Sequence, residues 1–131
     1  YNYPKRRLLT RIRELTEAGL NCALGQDSIS DPWYMPGTGN LLRVLEMGMH
    51  VEHMTGYKDM SHCLDFISTK GAKNLCIEDH YLIEEGKPAS LIILDGQDDY
   101  EVFRFQSAVM LSVHNGNLVS HKIPAAAEVT F

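Results

Sequence analysis

The sequence predicts an α/β chain: the closing segment of an α/β barrel, followed by part of a small β-sandwich. Three observations predict it. Apolar residues recur at helical spacing up to about Cys76, and at a spacing of two after Ile77. One short, apolar segment, Leu20-Asn21-Cys22-Ala23-Leu24-Gly25, lies among the helical stretches. A lone strand cannot form a sheet by itself, so its partners belong elsewhere. Residues 1–76 are therefore assigned to the barrel segment and 77–131 to the sandwich segment. The first part is expected to be mostly helical with one strand, and residues from about Leu82 onward mostly β.

Each element follows from local chemistry. Pro4 suits a first helical position; Leu8, Ile12 and Leu15 then line one face, and Gly19 stops the helix. Leu20–Gly25 reads as a buried strand. It runs into a polar, turn-rich stretch from Gln26 to Gly39, a loop length more often functional than idle. Asn40 is a suitable N-cap for a second helix reaching about Met54, whose Met and Leu residues form core. A third helix is predicted from about Ser61 to Leu75, with Leu64, Ile67, Gly71 and Leu75 on one face. Glycine costs helix stability, so Gly48 and Gly71 predict close packing at both positions. Strands are predicted at Leu91–Leu94, Tyr100–Phe105, Val109–Val113 and Leu118–His121. Asn115-Gly116 between the last two is a hairpin signal, since both residues tolerate the left-handed backbone of a type I′ turn.

Composition excludes several classes. With 44% hydrophobic residues the chain has enough for a core, which argues against wholesale disorder. Its 12 Lys+Arg against 17 Asp+Glu give −5, a poor balance for nucleic acid or an anionic membrane, and neither is expected as a partner. The one basic cluster, Lys5, Arg6, Arg7, Arg11 and Arg13, has the spacing of a solvated helix face. Cys22, Cys63 and Cys76 are odd in number and form no CxxC, which predicts a reduced, cytoplasmic protein. No signal peptide or membrane-length apolar run occurs, and the opening without Met predicts a cut chain.

Several motifs resemble the cytosine deaminase branch of the amidohydrolase superfamily. They are Tyr3-Pro4-Lys5-Arg6-Arg7, Gly37-Thr38-Gly39-Asn40, Met47-Gly48-Met49-His50-Val51 and Met54-Thr55-Gly56-Tyr57. A further run, Tyr81 to Leu94 with Glu84-Glu85-Gly86-Lys87-Pro88-Ala89, is shared by many amidohydrolases. The most specific is Gly25-Gln26-Asp27-Ser28-Ile29-Ser30-Asp31-Pro32-Trp33-Tyr34. The resemblance covers nearly all of this chain but only about the last third of the family's length. It implies a metal-dependent (β/α)8 barrel with a flanking β-sandwich, whose active site lies at the C-terminal ends of the strands.

Read alone, Asp27 is a turn or cap residue after a strand. The resemblance implies more: a ligand to one divalent metal ion, iron or zinc, and a proton shuttle. The chemistry needs a carboxylate there. One oxygen can bind a metal that lowers the pKa of its water; the other can take the water's proton and later deliver it to leaving ammonia. Ser or Asn could not do both. Ser28 and Trp33 are the implied substrate-binding residues, Trp33 as an aromatic wall. Ser28 departs from the family pattern, in which a second Asp is usual, and Gln26 departs too. Ser28 is expected on an exposed loop, where Ser28→Asp would alter substrate preference more than stability. Asp31 reads as the cap of the turn before Pro32 rather than a substrate contact.

Other candidates take structural readings. His50 and His53 are three apart in His-Val-Glu-His, which is not the zinc-protease His-Glu-x-x-His, and suit packing or surface roles. Gly37-Thr38-Gly39 is too short for a phosphate loop and frees the backbone before the helix. The family's His-x-His pair, its further His and its ring-protonating Glu have no counterpart among the six His and the carboxylates here. The metal site is therefore expected to be incomplete in this chain, since one carboxylate cannot hold a catalytic metal. The parent is expected to deaminate cytosine to uracil and ammonia. The first alternative is a sister enzyme acting on isoguanine, an aminotriazine or creatinine; the second is a structural or assembly fragment. The expected partners are a small amino-heterocycle and either copies of itself, as a homo-oligomer, or the missing N-terminal part.

Overall fold

A computed structural model describes residues 9–123. In order it contains α1 (Ile12–Glu17), α2 (Leu41–Val51), α3 (Tyr57–Met60), a 3₁₀ turn (Cys63–Ile67), α4 (Thr69–Asn74), α5 (Glu78–Tyr81), β1 (Leu91–Leu94), α6 (Asp99–Phe105), β2 (Val109–His114) and β3 (Asn117–His121). The Pro4 helix start, Leu8 and the Lys5-Arg6-Arg7 run lie outside the described residues.

Several local signals act as the sequence suggests. Gly19 takes φ +86° just beyond α1, its N–H donating to the Thr16 carbonyl while Leu20 N–H donates to Leu15. That paired closure needs a left-handed residue, which glycine supplies without strain. The Asn40 side chain accepts from Leu42 N–H at 3.0 Å and starts α2. Helix α2 stops at Val51, short of Met54, because His53 turns left-handed with φ +54°. Asn115 and Gly116 have φ +48° and +77°, the signs of a type I′ turn, and join β2 to β3.

Three expectations are corrected. Tyr100–Phe105, predicted as a strand, is helix α6. Asp98 accepts from Glu101 N–H at 2.8 Å while the Glu101 carboxylate accepts from Gln97 N–H at 3.0 Å, a reciprocal cap that outweighs the alternating pattern. The predicted helix from Ser61 to Leu75 is broken at Ser68, with φ −134° and ψ −98°. There the Ser68 hydroxyl donates to Leu64 O at 2.6 Å, and Phe66 O accepts the N–H of Leu24 from another segment at 2.7 Å. Leu20–Gly25 is not a strand within this chain. Among the described residues no strand lies beside it; instead it is held by that Leu24 bond and by Asn21, whose amide donates to Lys70 O and Asn74 Oδ1.

The core gathers Ile12, Leu42, Leu45, Met49, Met54, Cys63, Phe66 and Val102, with Cys22 and Leu24 packed against it. Burial pushes the Cys63 thiol up to about 11, helped by the charge of Asp99, so it stays a neutral core residue. The sheet is antiparallel, in the order β1-β2-β3, and Ile92, Ile93, Leu118 and Val119 remain exposed on it. Among the described residues no helix is long and apolar enough to cross a membrane.

The two helical glycines differ. A Cβ on Gly48 would lie 2.9 Å from Leu24 Cδ1, so the predicted close packing is present. A Cβ on Gly71 would meet nothing within 4 Å, so the prediction fails there. Gly71→Ala is therefore expected to stabilise the protein by about 0.5–1 kcal/mol through helix propensity alone. Thermal denaturation checks this; a lowered midpoint would contradict the open space beside Gly71.

Candidate active site

Leu20–Gly25 delivers the chain to a loop, residues 26–39, that closes on itself before α2. Asp27 lies at its start and is exposed. Among the described residues its carboxylate has no hydrogen-bond or ion-pair partner.

Ser28 differs from expectation: it is buried, at 8% exposure, rather than open on the loop. Its carbonyl accepts from the Gln26 side chain at 2.9 Å and faces Gly37 across the loop base. A Cβ on Gly37 would overlap the Ser28 carbonyl oxygen and sit 3.0 Å from its carbon. Gly37 is thus a close-approach glycine, closing the loop by donating from its N–H to Tyr34 O at 3.1 Å. The sequence carried a hint in Pro36-Gly37, a turn dipeptide, but nothing in it named Ser28 as the neighbour.

Asp31 makes the inner turn. Its Oδ1 accepts from Trp33 N–H at 3.0 Å and Tyr34 N–H at 2.9 Å, the capping role its sequence position suggests. The Tyr34 N–H, then the Trp33 N–H and the Ser28 hydroxyl, hold the Asp31 carboxyl below the ordinary aspartate value of 3.8, against partial burial that raises it. A lowered folded value stabilises the loop fully above the unfolded value and loses that effect as pH falls through the folded one. Trp33, carried by this turn, is 86% exposed. Asp31 thus ties Trp33 and Tyr34 into one turn, whereas Asp27 takes no part in these bonds.

His50 and His53 are exposed on and just after α2, in keeping with surface roles. Among the described residues no group of three or more His, Cys, Asp or Glu is placed to hold a metal ion. Asp27 offers one donor, so the residues present do not by themselves fit a metal. A groove of about 580 Å³ between β1, α6 and β2 and another of about 630 Å³ over the sheet are not lined by Asp27, Ser28 or Trp33.

The Amidohydrolase family profile matches residues 1–120. The chain belongs to the amidohydrolase family. This amidohydrolase chain superposes on the crystal structure of 5-methylcytosine deaminase from Klebsiella pneumoniae liganded with 5-fluorocytosine. The TM-score is 0.90, with 44% identity over 98% of this chain and 31% of the Klebsiella chain. N-isopropylammelide isopropyl amidohydrolase from Pseudomonas sp. (strain ADP) is 27% identical over 82% of this chain and 27% of its own length. N-isopropylammelide isopropylaminohydrolase from Burkholderia multivorans has the same fold, with a TM-score of 0.75 and 19% identity over 85% of this chain and 28% of that one. The chain therefore spans under a third of these relatives.

Proposed function

We propose that this chain is the C-terminal part of an aminohydrolase that removes the exocyclic amine of a pyrimidine-like ring, with cytosine as the first substrate. In that reading, residues 1–76 complete a barrel and 77–131 a β-sandwich. The observation that carries the proposal is the 44% identity with a 5-methylcytosine deaminase over 98% of the chain. It favours a pyrimidine over the ammelide substrate of the 27%-identical relative. Asp27 takes the proton of the attacking water and returns it to departing ammonia, a task that needs one carboxylate oxygen free of other partners. The same carboxylate would be one ligand to a divalent ion, whose remaining ligands would come from outside the described residues. Trp33 offers an aromatic face to the ring, and Ser28 sets the floor of the loop behind it.

A substrate panel on the full-length protein tests this. Ammonia release is measured with cytosine, 5-methylcytosine, isoguanine and an aminotriazine. A preference for a non-pyrimidine would replace the proposal with the sister activity. Absence of turnover on all four would favour the assembly role.

Ser28→Asp is expected to change the ratios across that panel and also to lower stability, because it sets a carboxylate at a buried position. The cost should be about 1–3 kcal/mol, more than an exposed site would show. Denaturant unfolding beside the panel checks both halves; unchanged ratios would remove Ser28 from the pocket.

A further inference from the structure

We propose that Asp31 is a positioning residue for substrate binding: its carboxylate fixes the turn that presents Trp33, and so sets affinity for the ring without touching it. The inference rests on the reading of Trp33 as a substrate contact. Among the described residues Trp33 is 86% exposed, so within this chain its indole is placed by the backbone beneath it. That backbone is held by one oxygen, Asp31 Oδ1, which takes the N–H groups of both Trp33 and Tyr34 at 3.0 and 2.9 Å. A second closure lies just beyond, where Gly37 N–H donates to Tyr34 O at 3.1 Å. The turn is therefore bonded on both sides of Trp33 while the side chain itself is free to meet a flat ligand. An indole held in advance in its binding position spares the ordering cost that a mobile one would incur on binding. Removing the Asp31 carboxylate frees Trp33 without removing it.

The test is a double-mutant cycle in the full-length protein, with KM and kcat measured on cytosine and 5-methylcytosine. Asp31→Ala is expected to raise KM about tenfold and to leave kcat within about twofold, since only binding before the chemical step is affected. Asp31→Asn keeps an acceptor oxygen for both N–H groups and should hold KM within about twofold of wild type. Trp33→Ala should raise KM similarly, and adding Asp31→Ala to it should change nothing further. Asp31→Ser, with a shorter acceptor, should fall between Asn and Ala, and serves if the alanine variant does not fold.

Distinct results overturn the proposal. If Trp33→Ala raises KM and the Asp31 variants do not, Asp31 is a turn residue only. The same holds if the two effects multiply, or if Asp31→Asn fails to rescue. If Trp33→Ala leaves KM unchanged, the functional reading of Trp33 fails and takes the proposal with it. That failure is told apart because it appears in the Trp33 variant itself.

Discussion

Asp27→Ala in the full-length protein is expected to lower turnover by more than about 10⁴-fold while leaving the melting temperature of the metal-free protein almost unchanged. A positioned proton shuttle alone accounts for about 10²–10⁴-fold. In the proposed role the same carboxylate is also a metal donor, so two contributions vanish with one side chain. The structure makes the two readouts separable. Asp27 is exposed and, among the described residues, takes part in no hydrogen bond or ion pair. Replacing such a residue costs within about 0.5 kcal/mol of stability, so a dead enzyme would not be an unfolded one. Steady-state ammonia release, and calorimetry on the metal-free form of the same preparation, give the answer. A loss of only a few-fold would remove Asp27 from the chemistry. Asp27→Asn sharpens the test, because it keeps shape and one oxygen but cannot carry a proton. It should be nearly as inactive as the alanine variant.

How far the sequence reveals this molecule depends on the range of the forces involved. Asn40 caps α2, Gly19 ends α1 and Asn115-Gly116 turns the hairpin, because each acts within four residues of itself. The errors lie where a distant partner decides. Phe66 O bonds Leu24, and Ser68 breaks the helix that its neighbours' spacing predicts. Gly71 lacks the close neighbour its helical position suggests, whereas Gly48 meets Leu24. Helix α6 is a different case: the Asp98-x-x-Glu101 cap was readable, but the alternation in Tyr100-Glu101-Val102 and Phe103-Arg104-Phe105 suggested a strand. Leu20–Gly25 carries an apolar strand pattern with no strand beside it among the described residues, as hydrogen-bonded pairing, not pattern, defines a strand.

The site divides in the same way. The turn role of Asp31 followed from Asp-Pro alone, and the structure bears it out through the Trp33 and Tyr34 bonds. The burial of Ser28 could not be read locally, because it depends on Gly37, nine positions later, folding back on the Ser28 carbonyl. The family resemblance supplied Asp27, Ser28 and Trp33 as a set; the structure adds the Asp31 turn beneath Trp33. Among the described residues Asp27 itself has no such bond.

Gly37→Ala is expected to reduce kcat/KM by about 10²-fold and to cost about 1–3 kcal/mol of stability. The reason is steric and local. The added methyl would overlap the Ser28 carbonyl oxygen, with Ser28 C at 3.0 Å and Ile29 Cα at 3.1 Å. All three atoms are backbone, so no flexible side chain can swing aside. The loop must open at its base by about 1 Å, a displacement that can cost about 10²-fold when it misplaces reacting groups. Opening the base moves Ser28 away from Gly37 and disturbs the Gly37–Tyr34 bond that closes the turn under Trp33. The expected pattern differs from that of Asp31→Ala. Gly37→Ala shifts the start of the loop as well, next to Asp27, so kcat should fall along with a rise in KM. Gly71→Ala, also a glycine-to-alanine change but in open space, is the internal control and should leave both constants unaltered. A Gly37→Ala enzyme with wild-type kcat/KM would mean that the base of this loop can open without consequence, and that the 26–39 loop is not where substrate is held.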